Sequence, residues 1–298
     1  MRRFCSNCTL ARDRAGSRGE SVIIGKVSGL FRYPFKSMLG EAIDRTRVDG
    51  SGFANDRRFA LVDIATGKIA SAKLPHKWGR LVELHACCEG PAVAVVFPDG
   101  AKIVVGDQIL DERLSSFLGR DVKVIDQRRD GMALDRADPE ALADDIHAIE
   151  TSATLLPISQ AAPLGGFFDF APIHIIPSAS LARVRDISQS GQSDVARFRP
   201  NIVIDCDDQP AFAENGWTGA TLHVGEVAFG VITPTPRCAI PTLAHGELTA
   251  DTRLISRLGA LNRVDIFDMG KLACLGVYAS VTSPGDITIG DEVSLIRP

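Results

Sequence analysis

ATLHVGEVAFGVITPTPRCAIPT, residues 220–242, sets the fold class. Two apolar-polar runs flank Gly225-Glu226, which reads as a β-hairpin. The second run passes straight into TPTPRCAIPT, where Pro234, Pro236 and Pro241 fix backbone torsions around Arg237-Cys238. A cysteine therefore stands on a stiffened loop after a strand, beside a permanent cation that favours thiolate. A thiolate there is a soft metal ligand, a nucleophile or a sulfur carrier; a buried structural cysteine fits the segment equally.

The same strand-turn texture extends through both halves. FALVD and KIASA flank Thr66-Gly67, VELHAC alternates, and AVAVVF joins AKIVV through Pro98-Asp99-Gly100, so hairpins are expected from Val22 to Leu110. Leu110, Leu114, Phe117 and Leu118 then fall at helical spacing, with Asp107 as cap and Gly119 as stop, and VKVID follows as a strand. Residues 127–172 read as a junction, with an acidic helix opened by Asp138-Pro139 and the Pro/Gly-rich LLPISQAAPLGGFFDFAP. Beyond it, PSASLARVRDI reads as a helix capped by Ser178, NIVID as a buried strand and DTRLISRLGAL as a helix. GVYASV, DITIG and DEVSLI close the chain as strands. The expectation is a mostly β protein with some α (α+β), its sheets closed or nearly closed. The expected layout is a flexible tail over 1–20, a first β domain over 21–126, the junction over 127–172 and a second β domain over 173–298.

Composition narrows the function classes. The 298 residues leave room for roughly two domains. Hydrophobic residues at 45% and charged residues at 23% exclude a wholly disordered chain. A net charge of -4 argues against a broad nucleic-acid face, and no apolar run approaches the ~20 residues of a membrane helix. Seven cysteines are too few and too odd in number for a disulfide framework, so a reduced, cytoplasmic setting is expected. The Arg-rich start lacks a signal-peptide core. Cys5 and Cys8 form a lone CxxC with no second half of a zinc site; His245 and Glu247 read as an exposed turn and Trp217 as a packing anchor.

Cations recur at strand ends. RYPFKS places Lys36 and Ser37 past a strand broken by Pro34, NDRRF places Arg57 ahead of a strand, and RFRPN sets Arg199 before Pro200 and Asn201. Each suits an anionic, phosphate-bearing ligand, since Arg offers a planar fork and Lys a point charge. Singly, each also reads as a solvated rim.

In order, FRYPFKS, ANDRRFALVD, FRPNIVID, ENGWTGATLHVGEVAF, TPTPRCAIPT and LGVYASVTSPGDITIGDEVSL resemble the MOSC family, named for the molybdenum-cofactor sulfurase C-terminal domain. The resemblance covers about residues 22–297 and includes the N-terminal β-barrel domain that precedes MOSC in the amidoxime-reducing branch. It implies an N-terminal β-barrel-like domain followed by a MOSC β-barrel with flanking helices. It further implies a molybdenum–molybdopterin cofactor with Cys238 as metal ligand and catalytic residue. Lys36, Ser37, Arg57, Ser178, Arg199, Asn201, Arg237 and Tyr278 match its cofactor contacts. Lys73, in IASAKLPHKW, departs from the arginine common in relatives.

The implied activity is an oxidoreductase acting on a small N–O substrate, with electrons from a separate iron–sulfur or flavin protein, because no C-x₄-C-x₂-C run is present. The rival is a sulfur carrier or molybdenum-cofactor carrier with Cys238 as persulfide acceptor or ligand, for which a pyridoxal-phosphate cysteine desulfurase is a candidate partner. Neither reading needs nucleic acid or membrane.

Overall fold

The computed structural model describes residues 20–129, 131–143, 153–189, 195–206 and 208–298. Strand outweighs helix two to one, at 41% against 19%, which bears out the mostly β class. Seven strands form the larger body: β1 (Ser21–Arg32), β2 (Ile173–Pro177), β3 (Ile202–Asp205), β4 (Thr221–Val224), β5 (Val227–Pro236), β6 (Lys271–Ser283) and β7 (Glu292–Ile296). They pair in the order β2-β3-β1-β7-β4-β5-β6, and β6 returns to β2, closing a barrel. Only the β2–β3 pair is parallel. Closure leaves no open edge.

Side-chain alternation explains the filling. Leu222 and Val224 of β4, Ile202 and Ile204 of β3, and Ile173 and Ile175 of β2 point inward in steps of two. In β1 the buried residues Ile24, Val27 and Leu30 are three apart, because the pairing slips between Ile23 and Gly25 and again between Val27 and Gly29. Each slip adds a residue and bends the strand, as bulges do. The outward residues Ile176 and Val203 are covered by helices Ser178–Ile187 and Leu254–Leu261 through Leu181, Val184, Leu254, Ile255 and Leu258. The helix opens at Ser178 itself, with Pro177 at the cap position. Ser178 is thus not the helix cap, since its Oγ accepts from the Cys206 N–H at 3.1 Å instead.

A second core lies under the first half of the chain, from Phe35 and Phe59 through Leu81, Val95 and Leu114 to Val122. The hairpin Ala92–Val96 with Lys102–Val104 and the helix Leu110–Leu118, ended by Gly119 at φ 66°, stand where the pattern put them. FALVD behaves differently. Strand Ala60–Asp63 pairs with Val122–Ile125, and KIASA meets it only at the Val62–Ile69 bridge. VELHAC is also shorter as a strand than expected, because a 3₁₀ turn takes Gly79–Glu83 and pairing begins at His85.

The pairing draws the first strand into the barrel built by the later residues. β1 lies between β3 and β7, and strand Arg45–Asp49 pairs with Gly285–Thr288, so these two strands pack with residues 285–296 while Phe35 and Met38 between them join the second core. The physical reason is that β1 completes the barrel. The expected junction also holds a strand pair, Ala133–Ala137 with Ala153–Pro157, over a small core that includes Leu134, Ile158 and Phe167. Residues 138–143 form turns; the rest of the expected acidic helix, Cys5, Cys8 and the tail through residue 19 lie outside the described residues. Among the described residues no helix is long and apolar enough to cross a membrane.

Candidate functional site

The proline-stiffened loop after β5 inserts Cys238, Ala239, Ile240 and Leu243 into the second core. It thereby stitches the two bodies together at a cavity of about 410 Å³. Lys36, Ser37, Arg57, Arg199, Asn201, Arg237, Cys238 and Tyr278 all line this cavity. Ser178 does not; its hydroxyl is used between Asp205 and the Cys206 N–H.

Three of these residues sit in left-handed backbone: Ser37 at φ 66°, Arg57 at φ 45° and Arg199 at φ 54°. Such non-glycine positions cost about 1–3 kcal/mol each and persist where surrounding bonds over-determine them. Those bonds are visible. The Ser37 hydroxyl accepts from the Ala72 N–H at 3.1 Å and lies 3.3 Å from the Ser71 hydroxyl. Arg57 donates to both Asp56 oxygens at 2.8 and 2.6 Å and, through Nη2, to the Arg199 carbonyl at 3.0 Å. Asp56, its carboxylate fully buried, also accepts from the Tyr33 N–H at 2.7 Å and from Asn201 Nδ2 at 2.9 Å. Arg199 reaches the Met38 and Phe35 carbonyls, and Arg57 and Arg199 each lie 4.4 Å from the Tyr33 ring centre.

The cations outnumber the acids. Lys36, Arg57, Lys73, Arg136, Arg197, Arg199 and Arg237 line the cavity, against Asp169 and Asp268. Asp169 accepts from Lys36 Nζ at 2.6 Å and is 3.0 Å from Lys73 Nζ, so one carboxylate serves two ammonium groups. Lys36 Nζ also donates to the Phe167 carbonyl at 2.9 Å. Burial pushes the Lys36 ammonium down to about 8; Asp169 pulls it up and Lys73 pushes it down again. Burial alone would raise Asp169, yet Lys36 and Lys73 hold its carboxyl well below the usual range. Burial, with Arg57 adding, takes Arg199 down to about 10. A cavity with this excess of positive charge and low-dielectric walls concentrates anions.

His174, on β2, was not singled out by sequence because IHIIP looks like an ordinary buried strand. Its Nε2 lies 3.3 Å from Arg237 Nη1 and its Nδ1 3.4 Å from the Arg199 carbonyl. Burial, and then Arg237, hold it well below its ordinary value, so it is neutral. With Arg237 donating to Nε2, the Nδ1–H is the tautomer that can donate to Arg199. Arg237 also donates to the Phe198 carbonyl at 2.9 Å, while its buried Nε has no hydrogen-bond partner. Burial, with Asp169 adding, raises the Tyr278 hydroxyl, so it stays protonated.

Asp169, His174, Arg136 and Arg197 are among the lining residues that the sequence pattern does not single out. The one signal for Asp169 was a lone acid among the aromatics of FFDF, which a loop reading absorbed. Lys73, which in the sequence stands out only as a departure from the arginine of the resembled family, also lines the cavity. His245 is buried rather than exposed, its Nδ1 2.8 Å from the Leu243 carbonyl, whereas Glu247 is exposed. Trp217 is buried as a packing anchor, and Cys206 and Cys274 are buried free thiols, while Cys87 and Cys88 are half-buried. Among the described residues no group of three or more His, Cys, Asp or Glu could hold a metal.

The architecture is a closed β-barrel joined to a smaller β body by a proline-stiffened cysteine loop, with a cation-rich cavity at the joint. The chain belongs to the MOSC family: residues 165–294 match the MOSC domain and residues 24–136 the MOSC N-terminal beta barrel domain. It is 30% identical over 142 residues to mitochondrial amidoxime-reducing component 1 of Homo sapiens, spanning 44% of this chain and 38% of that protein. It is 25% identical over 313 residues to mitochondrial amidoxime reducing component 2 of Bos taurus, spanning 95% of this chain and 86% of that protein. Among solved structures, the YuaD protein from Bacillus subtilis aligns over 94% of this chain and 99% of its own at 11% identity, with a TM-score of 0.38.

Proposed function

We propose that this protein reduces small N-hydroxylated compounds with a molybdenum–molybdopterin cofactor seated in the cavity, using electrons from a separate iron–sulfur or flavin protein. One observation carries the proposal: the buried Cys238 shares a cavity wall with seven cationic side chains. The group fits that donor set. A phosphate-bearing, dithiolene-bearing anion needs cations and hydrogen-bond donors, a molybdenum ion takes a soft thiolate, and the orphan Arg237 Nε–H is a donor without an acceptor. The names of the two mammalian relatives point to the same substrate class.

In this reading Cys238 is the protein's metal ligand. Lys36, Arg199 and Arg237 neutralise the phosphate and pterin, Ser37 and Tyr278 add hydroxyl donors, and Arg57 and Asn201 hold the Arg199 segment through Asp56. When bound, the cofactor supplies the two-electron redox chemistry. The overall change is balanced: the N–O bond breaks, two electrons and two protons enter, and the oxygen leaves as water. Burial brings Lys36 down to about 8, and an anion bound beside it favours its ammonium form.

The test is to purify the protein from a cell that makes the cofactor, measure molybdenum and pterin, and assay amidoxime reduction with a dithionite-reduced viologen dye. Stoichiometric metal and turnover are expected. Metal-free protein carrying sulfane sulfur, with no N–O turnover, would replace this reading by the carrier.

A further inference from the structure

We infer that the hairpin tip Ile266–Gly270 forms a subsite for a planar aromatic group of the substrate, with Phe267 as its specificity-determining residue. The inference rests on the cavity being the reductase site proposed above. Strand Arg263–Asp265 pairs with Lys271–Ala273, and the tip between them is tied by Met269 N–H to the Ile266 carbonyl at 2.9 Å and Ile266 N–H to the Gly270 carbonyl at 3.0 Å. This tight turn holds Phe267 at φ 46° on the cavity lining, yet leaves it 63% exposed.

Both features work against the fold. A bulky residue in left-handed backbone is a genuine outlier, and an exposed phenyl ring gains little burial. An exposed phenylalanine alone would need no explanation; one held under strain at a cavity mouth does. Its neighbours give the reason. The Phe267 ring lies 5.9 Å from Phe170, Phe170 lies 5.6 Å from Tyr278, and Tyr278 lies 5.7 Å from His174. These spacings belong to ring-on-ring contact, and together they make a row of mutually tilted rings from Phe267 to the histidine that touches Arg237. Met269, also exposed on the lining, adds a polarizable edge. A flat ring in the mouth gains stacking contacts that a puckered ring of equal size cannot.

The test uses redox-inert probes on the purified holoprotein: benzamide and cyclohexanecarboxamide, with binding followed by ligand-observed NMR. Wild type is expected to prefer benzamide. Phe267→Ala should weaken benzamide about threefold to tenfold and leave the cyclohexane probe unchanged, and Phe267→Trp should restore the preference. Equal effects on both probes, no effect of Phe267→Ala, or no benzamide binding would overturn the inference. Turnover is read separately: an aromatic preference without reduction of any N–O compound removes the reductase reading and leaves the subsite. Reduction that is indifferent to the ring and to Phe267 removes the subsite and leaves the reductase.

Discussion

Arg57 donates to the backbone carbonyl of Arg199, 142 positions later, at 3.0 Å. One cation thus fixes the loop that presents the other, and both share the Tyr33 ring. The like charges are held close by the buried Asp56 carboxylate, which faces Arg57 and Asn201 together.

Removing Arg57 should therefore cost stability as well as ligand binding. Arg57→Ala leaves the Asp56 carboxylate buried without its ionic partner, a loss of about 3–5 kcal/mol. The urea midpoint should fall accordingly and pterin retention through desalting should drop. A midpoint unchanged within error would show that Asp56 is satisfied by Tyr33 and Asn201 alone.

Lys36 gives the cavity a pH dependence. Its ammonium loses its proton near pH 8 in the fold, against 10.5 for an ordinary lysine. Binding of inorganic phosphate, measured by calorimetry, should weaken as pH rises through about 8 in wild type. Lys36→Met should lack the inflection. Between pH 8 and 10.5 the unfolded chain holds more protons at this residue than the folded one. Stability then rises with pH across that window. Wild type should gain stability relative to Lys36→Met over that range, and the opposite slope would contradict the assignment.

Cys238→Ser separates ligation from folding. The hydroxyl is nearly isosteric but a harder and weaker ligand. Dye-coupled reduction should vanish, molybdenum content should fall, and the thermal midpoint should stay within about 2–4 °C, the shift of about 1 kcal/mol in a chain this size. Equal turnover by the two proteins would remove Cys238 from the chemistry.

Gly276 tests the packing behind His174. At φ 74°, a Cβ there would come within 2.4 Å of the Ile175 carbonyl oxygen and 2.8 Å of His174 Nε2. Backbone cannot yield cheaply, so Gly276→Ala should destabilise by roughly 2 kcal/mol or more and disturb Arg237 binding of anions. Unfolding curves and phosphate titration on the same sample check both effects.

Local pattern made much of the fold legible. The β4–β5 hairpin, the Ala92–Val104 hairpin and three helices follow from turn residues and periodicity within short windows. Partners across long separations did not. Nothing in SVIIGKVSGLFR says that its neighbours are residues 202–205 and 292–296, because side-chain alternation specifies a face and not a partner. The site shows the same split. Cys238, Arg57 and Arg199 stood out because proline or charge interrupts an apolar run. His174 and Asp169 did not, since a polar group inside an apolar stretch gains its meaning only from what folds against it.

The β1 strand also has a consequence for how the chain is made. Apart from a short pairing of Leu30–Arg32 with Glu41–Ile43, it finds its flanking strands only after residues 202–205 and then 292–296 have left the ribosome. Until then most of its backbone donors and acceptors wait unpaired, and an apolar strand in that condition invites association with other nascent chains. The barrel beside the cavity cannot close until residues 292–296 have been made, and a ribosome that stalls before them releases an open sheet.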